Sequence, residues 1–191
     1  MKKISIIMIA VLSIAVSCKS KKGAKTTTDK NSGMEIINLP CDEFQSSTTA
    51  AFRATQSQRS SDLSLSREKA LVVAKQRLAG LVQTSLNSVG VRYINEYQKA
   101  AALDLSAKYE NETREIIKQQ LSDVKILCEK TVKEQDGSYT TFVAVEMSKD
   151  ALKTQLENNL SDKTKLDINY DKMKFEQIYN EEMKKLDDAK K

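Results

Sequence analysis

The chain has 191 residues, with 31 Lys and Arg against 26 Asp and Glu, and it contains no His. The absence of His excludes His-dependent catalytic triads and imidazole metal ligands. The formal net charge of +5 is concentrated at the front, because residues 1–33 hold seven basic residues and one acidic residue, which leaves residues 34–191 near −1. With 5% aromatic residues and no Trp, the chain lacks the basic, stacking surface that nucleic-acid binding requires.

Residues 1–17 are predicted to be a signal peptide. Lys2 and Lys3 form a positive start, residues 4–16 are almost wholly apolar, and small residues gather at the end. The apolar run is too short for a transmembrane helix, which needs about 20 residues. This order of features therefore predicts a cleaved leader.

The four residues Ala15-Val16-Ser17-Cys18 resemble the lipobox of bacterial lipoproteins. The resemblance implies that Cys18 is alkylated with a diacylglycerol and that the leader is cut just before it. Because each buried methylene contributes about 0.8 kcal/mol, two or three acyl chains would hold the protein at a membrane. Lys19 after the lipidated cysteine implies, by analogy with enterobacterial sorting, an outer-membrane anchor and a periplasm-facing protein.

Residues 18–33 are predicted to be the lipidated cysteine and a flexible tether. They hold no large apolar side chain, so they cannot bury enough surface to offset the entropy of ordering. Their lysines either contact anionic headgroups or are simply solvated. We expect one α+β domain over residues 34–160, followed by a C-terminal amphipathic tail over residues 161–191.

The domain is predicted to begin with a strand and two helices. Residues 49–57 alternate enough to form a strand, and Ser64 or Ser66 is placed to cap the helix that follows. Residues 92–118 lack Pro and Gly and predict a second long helix. The first helix has an apolar stripe at steps of three and four, formed by Leu71, Ala74, Leu78, Leu81, Val82, Ser85 and Val89.

A β-hairpin is predicted next, because residues 124–132 and 139–147 both alternate between apolar and polar side chains. Asp136-Gly137 between them is a hairpin signal, since Gly tolerates the positive φ of a tight turn. We expect the apolar side chains of the first strand to share one inward face, formed by Val124, Ile126, Cys128 and Val132.

Two amphipathic helices complete the predicted elements. Ser148 is placed to cap a helix with three leucines on one face. The tail helix after residue 169 either docks on the domain or binds a partner helix. The order of strand, two helices, hairpin, helix and tail helix predicts an α+β fold, with long helices on one face of an antiparallel sheet.

Cys41 and Cys128 form an even pair once Cys18 carries the lipid. Two interpretations stay open. The pair forms a disulfide in an oxidising compartment, or Cys128 is a free thiol that packs as a small core residue.

One stretch combines a strand, a serine-bearing turn with an acid, and a helix with small residues at regular spacing. It consists of FRATQSQRSSD at residues 52–62, followed by Ala70, Ala74, Leu78 and Ala79. On these residues the chain resembles the LPP20-like lipoproteins over about residues 35–160, although Gln56 and Gln58 stand where that family commonly has glycines. The resemblance implies a small envelope lipoprotein with an α+β fold and no established common enzymatic activity.

Arg53 and Asp62 are the candidate ligand residues, because the resemblance runs through them. They either shape a groove at the helix start, whose amide groups favour anions, or serve as a strand-edge arginine and a turn acid. Glu110, Glu112 and Glu115 lie on a helical run rather than on the tight turn that a calcium site needs. We expect no metal, no cofactor and no catalysis, since a Gly-rich phosphate loop and a CxxC pair are also missing from the sequence.

These observations predict a membrane-anchored, non-catalytic protein-interaction or assembly module of the cell envelope. Its partner is either a second copy or another envelope protein, and the hairpin edge at residues 139–147 is expected to serve self-association. The alternative is a carrier of a small apolar or lipid ligand, which needs a lined cavity of about 300 Å³ or more.

Overall fold

The structure, a computed structural model, describes residues 27–28, 35–97 and 102–188. The predicted leader, Cys18 and most of the tether lie outside the described residues. The chain divides into two units, Met1–Asn38 and Leu39–Lys191. In the first unit, two short strands, β1 (Thr27–Thr28) and β2 (Glu35–Ile36), pair antiparallel.

The unit Leu39–Lys191 has the predicted α+β fold, built around a three-stranded antiparallel sheet. Its elements in chain order are β3 (Ala51–Ser60), α1 (Leu63–Tyr97), α2 (Ala102–Gln120), β4 (Lys125–Lys133), β5 (Tyr139–Ser148), α3 (Lys149–Asn159), α4 (Asp162–Asp167) and α5 (Lys172–Asp188). The strand order is β3-β5-β4, and α1 packs against β3 and β5.

The core lies between α1 and the sheet and continues into α5. Phe52 and Ala54 of β3 lie on the α1 side of the sheet, and so do Val143 and Val145 of β5. Ala54 faces Val145 in the register, and the other two residues lie two positions away on the same face. Each fully buried Leu, Val or Phe contributes about 1.5 to 3 kcal/mol through apolar burial. The side chains that α1 buries are Ser66, Ala70, Ala74, Leu78, Val82, Ser85, Leu86, Val89, Tyr93 and Ile94.

Asp62 caps α1, so the prediction that Ser64 or Ser66 caps it is wrong. The Asp62 Oδ1 atom accepts the N–H of Leu65 at 2.7 Å. Ser66 is instead buried in the first turn, where its hydroxyl donates to the carbonyl of Gln58 at 2.9 Å. Ser and Asp are equally good caps, and several of them precede the apolar stripe, so the sequence pattern did not separate them.

The predicted second helix is confirmed as α2, but its predicted start near residue 92 is wrong, because α1 continues to Tyr97. Residues 98–101 lie outside the described residues, and α2 begins at Ala102. Gly90 lies within α1 and is covered by Tyr109 of α2, since a Cβ atom at Gly90 would lie 2.2 Å from Tyr109 Cε1. The glycine permits close approach of α2 rather than ending a helix.

A β-bulge in β4 overturns the predicted inward face. The pairing of β4 with β5 shifts by one residue between Ile126 and Cys128, and Leu127 is the extra residue. A bulge reverses the alternation of side chains along a strand. Ile126 therefore lies on the α1 side of the sheet, whereas Cys128 and Val132 lie on the opposite side.

The hairpin around Asp136-Gly137 is confirmed, with a different turn from the one expected. Residues 134–138 form the loop, Gly137 has φ 86°, and its N–H donates to the carbonyl of Glu134 at 3.0 Å. Asp136 does not have a positive φ, so the turn is not the two-residue primed form. Its carboxylate instead accepts the N–H of Ser138 at 3.1 Å.

Ser148 caps α3 as predicted, since its hydroxyl accepts the N–H of Ala151 at 3.2 Å. The tail helix α5 docks on α1, which decides between the two alternatives for the tail. Tyr93 of α1 also holds the connection before α5, because its hydroxyl accepts the N–H of Asp171 at 2.7 Å. The side chains that α5 buries are Phe175, Ile178, Tyr179 and Met183.

Candidate functional site

One edge of the sheet, formed by β4, is open. Among the described residues β4 pairs with β5 alone, and its apolar side chains Ile126 and Val132 are 45% and 43% exposed. Because β5 is the central strand, the prediction of a free edge at residues 139–147 is wrong. A sequence signal existed, since the unbroken apolar run at residues 142–145 is typical of a strand that is covered on both faces.

The register shows which backbone groups β4 presents at the open edge. Residues of an antiparallel strand direct their N–H and C=O groups alternately to the two sides. Arg53 of β3 donates its N–H to Ser47 Oγ at 3.0 Å, away from β5, so its partner Glu146 directs its backbone toward β4. Followed along the pairs of β5 and β4, this alternation leaves three residues of the stretch Cys128–Lys133 whose backbone groups point outward: Glu129, Thr131 and Lys133.

Side chains of α1 hold β4 in place from the helix-covered face. Arg67 of α1 forms an ion pair with Glu129 of β4 at 2.5 Å. A chain of hydroxyl groups also joins Ser66 to Thr141 and Thr141 to Thr131, at 2.8 and 2.9 Å. The first turn of α1 is therefore bonded to both β5 and β4, and a linked, partly buried network of this kind fixes the edge strand.

A disulfide joins Cys41 to Cys128 of β4, as the first of the two open interpretations has it. Cys41 is 1% exposed, and its Sγ atom lies 3.8 Å from the carbonyl oxygen of Phe142. Cys128 faces Ala144 of β5, which is fully buried although it lies on the side of the sheet away from α1. Residues 39–50 are thus fixed to β4 across that side of the sheet.

The open edge carries positive charge. Lys125, Lys130 and Lys133 lie along β4, and the one acidic residue of the strand, Glu129, is engaged by Arg67. The strand has a net charge of +2. Lysines on an edge strand oppose indiscriminate pairing with neutral or basic strands.

Arg53 lies at the other edge of the sheet, which residues 39–50 cover. Its Nε atom donates to Glu146 Oε2 at 2.7 Å, and its guanidinium carbon lies 5.7 Å from the centre of the Phe44 ring. Its backbone N–H is bonded to Ser47. Arg53 therefore ties the covering segment to β3 and β5.

The structure does not bring Arg53 and Asp62 together. Arg53 lies seven residues before the end of β3 at Ser60, about 23 Å of strand at 3.3 Å per residue, and Asp62 lies beyond that end. Asp62 occupies an amide of the first turn of α1 through its bond to Leu65, so the helix start is already capped. The groove that would join the two residues is therefore not formed.

Glu110, Glu112 and Glu115 are separately engaged. Glu110 and Glu115 form surface ion pairs with basic residues of the same helix. Glu112 accepts hydrogen bonds from the hydroxyl groups of Ser161 and Thr164 and fixes the start of α4. Partial burial opposes its ionisation, but these bonds outweigh it and hold the pKa of Glu112 below its ordinary value.

A surface cleft of about 410 Å³ lies between the start of α3 and the end of α5. Lys149 is 3% exposed there; its Nζ donates to Asp187 Oδ1 at 2.8 Å and lies 5.3 Å from the centre of the Phe52 ring. Its carbonyl accepts the hydroxyl of Tyr179 at 2.8 Å. Sequence reasoning missed this cluster, because its partners come from three elements. The charged side chains of the lining are Lys149, Asp150, Lys184, Asp187 and Asp188.

Within residues 27–28, 35–97 and 102–188, no three His, Cys, Asp or Glu side chains are grouped so that they could hold a metal ion. None of the helices in these ranges is both long and apolar enough to cross a membrane. Comparisons of the chain with protein-family models, with curated proteins and with solved structures find no match. The geometry of the β4 edge therefore carries the functional interpretation.

Proposed function

We propose that this protein is a lipid-anchored module of the bacterial cell envelope that binds other proteins through the open edge of β4. The observation that carries the proposal is the pairing of β4 with β5 alone among the described residues, which leaves the outward backbone groups of Glu129, Thr131 and Lys133 at the surface. Such groups are a template for an additional strand. The partner supplies main-chain hydrogen bonds, and side chains next to the edge select it.

The anchor belongs to the proposal on the basis of the leader and Cys18. In this account the protein is of the LPP20-like kind, held in the outer membrane by acyl chains on Cys18 and facing the periplasm. Cells grown with a palmitate analogue should label the unaltered chain and should not label Cys18→Ser. Equal labelling of the two proteins, or no labelling of the unaltered chain, would contradict the lipid anchor.

The binding role is non-catalytic in this proposal. The polar side chains that sequence reasoning singled out are engaged in holding the fold, as Arg53 is with Glu146 and Glu112 with Ser161. These bonds support a structural role for both side chains.

Photo-crosslinking in intact cells tests the interaction surface. A benzophenone amino acid replaces Val132 on β4 in the full chain, and in a matched control it replaces Leu166, which is 80% exposed but lies on α4. We expect crosslinks to one or a few envelope proteins from position 132 and none of these from position 166. The same adducts from both positions, or no adduct from position 132, would contradict the proposal.

A second candidate function, a carrier of a small apolar or lipid ligand, is favoured by the cleft at Lys149. Its volume of about 410 Å³ suffices for such a ligand, but the cleft lies at the surface and charged side chains line much of it. A fluorescent fatty-acid analogue should then bind the full chain and bind more weakly to Asn180→Glu, because Asn180 is exposed and lines the cleft. Equal signals for the full chain and the variant would remove the carrier hypothesis.

A further inference from the structure

We propose that β4 takes an acidic, extended segment of another protein as the fourth strand of the sheet. The inference rests on the proposed function and deepens it by naming the chemistry of the partner. It follows from three features of the edge: the length of its regular part, its charge, and the positions of its side chains.

The regular part of the edge is six residues long. From the bulge onward, each residue from Cys128 to Lys133 faces the next one on β5 without interruption. This length corresponds to about 20 Å of strand. The outward backbone groups of Glu129, Thr131 and Lys133 supply three donors and three acceptors along it, which matches the pairing of a short strand.

The charge of the edge selects an acidic partner. Lys130 and Lys133 lie within the regular part, and Lys125 lies just before the bulge. The negative charge of Glu129 does not neutralise these lysines, because the Glu129 carboxylate already pairs with Arg67. An incoming strand therefore meets uncompensated lysines, and opposite charges across neighbouring strands are stabilising.

The lysines lie on both faces of the edge. Lys133 faces Tyr139 of β5 and lies on the α1 side, whereas Lys130 faces Phe142 and lies on the opposite side. Val132 shares the side of Lys130 and is 43% exposed. The best-fitting segment thus carries carboxylates on both faces and one apolar side chain next to Val132.

Two other occupants fit this edge poorly. A second copy would place two strands of net charge +2 side by side, and this excess of like charge opposes their association. The chain's own residues 19–33 carry five lysines against one aspartate, so they are also repelled. An acidic segment of a different protein is the occupant that satisfies both the backbone and the charges.

Binding of short peptides to the purified full chain tests the inference. The probe is a fluorescent peptide of about seven residues, made of Glu, Val and Thr, a length that covers the regular part of the edge. Its matched control has Lys in place of each Glu. Fluorescence anisotropy should show that the acidic peptide binds and that the basic control does not. The affinity for the acidic peptide should fall when salt is raised from about 20 mM to about 300 mM.

Two pairs of variants locate the binding to β4. Lys130→Glu with Lys133→Glu should weaken binding of the acidic peptide at least about tenfold, whereas Lys163→Glu, on exposed α4, should not change it. Thr131→Pro removes an outward N–H and should abolish binding, whereas Gln135→Pro, in the hairpin loop beyond β4, should preserve it. Circular dichroism shows that each variant has retained its fold.

The outcomes separate this inference from the proposed function. Failure of the acidic peptide to bind, equal binding of the basic peptide, or an unchanged affinity in Lys130→Glu with Lys133→Glu would overturn the acidic partner. Crosslinks from position 132 that persist in that case would leave the proposed function standing. Crosslinks from position 132 to a second copy of the chain would likewise overturn the inference while supporting the interaction module.

Discussion

At position 90 of α1 a glycine allows Tyr109 of α2 to pack against the helix backbone. A Cβ atom there would lie 2.2 Å from Tyr109 Cε1, and Tyr109 is 1% exposed and has little room to move. We expect Gly90→Ala to lower the free energy of unfolding by about 2 to 3 kcal/mol, as overpacking does. Urea unfolding of the purified chain measures the change.

Gly80 provides the matched control in the same helix. No atom lies within 4 Å of the position that its Cβ would take. Because Ala favours a helix over Gly, Gly80→Ala should raise the free energy of unfolding by about 0.5 to 1 kcal/mol. Similar effects of the two substitutions would contradict the close approach of Tyr109 to α1.

Glu112 should make the stability of the fold depend on acid pH. Its pKa in the folded protein lies below its ordinary value, so its ionised form stabilises the fold above the unfolded pKa of about 4.3. That contribution is lost as the pH falls through the lower, folded pKa. Urea unfolding between about pH 3 and pH 7 should therefore show a larger acid loss for the unaltered chain than for Glu112→Gln.

Glu115→Gln is the comparison for this pH profile, because the Glu115 side chain is 65% exposed and lies 3.9 Å from Lys118. Glu115→Gln should lose as much free energy of unfolding at acid pH as the unaltered chain does. If Glu112→Gln lost as much as well, the bonds from Ser161 and Thr164 would not be what lowers the pKa of Glu112.

Single residues show where local pattern stops being informative. Ser148 was predicted correctly as a cap, because its bond to Ala151 lies within one turn. The cluster around Lys149 was not predicted, because it depends on Asp187 and Phe52, which only the tertiary fold brings close. Local contacts follow from sequence spacing, whereas long-range contacts require the strand order to be known.

The strand β4 and the segment that includes Cys41 are joined by the disulfide, which closes a loop with a sequence separation of 87 residues. The chain-entropy model assigns such a loop about 4.6 kcal/mol. We expect a thiol reductant to lower the free energy of unfolding by up to this amount. Urea unfolding with and without reductant measures the change, and a Cys41→Ser, Cys128→Ser chain should not respond to the reductant. Equal responses of the two chains would contradict a structural disulfide.

At the scale of elements, helices and strands were predicted better than their ends and faces. The hairpin followed from alternation and from Gly137, which has the positive φ that glycine tolerates. The face of β4 was predicted wrongly, because the extra residue Leu127 reverses the alternation and no composition signal marks a bulge. The end of α1 was misplaced because Gly90 serves packing rather than termination.

At the scale of the whole molecule, the strand order decides which surface is available. The sequence indicated the α+β class and the hairpin, but it placed the open edge on β5. Because β3 pairs with the far side of β5, β5 is the central strand and the open edge is on β4. Alternation within a strand does not specify its neighbours, and the unbroken apolar run of β5 was the signal that could have placed it at the centre.

Amide hydrogen exchange of β4 tests the central claim most directly. In the free full chain, the outward amides of Glu129, Thr131 and Lys133 should exchange quickly, whereas the amides of Cys128, Lys130 and Val132, which face β5, should be protected. In the complex isolated by crosslinking from position 132, the outward amides should become protected as well. Outward amides that are already protected in the free chain, or that stay unprotected in the complex, would contradict strand addition at β4.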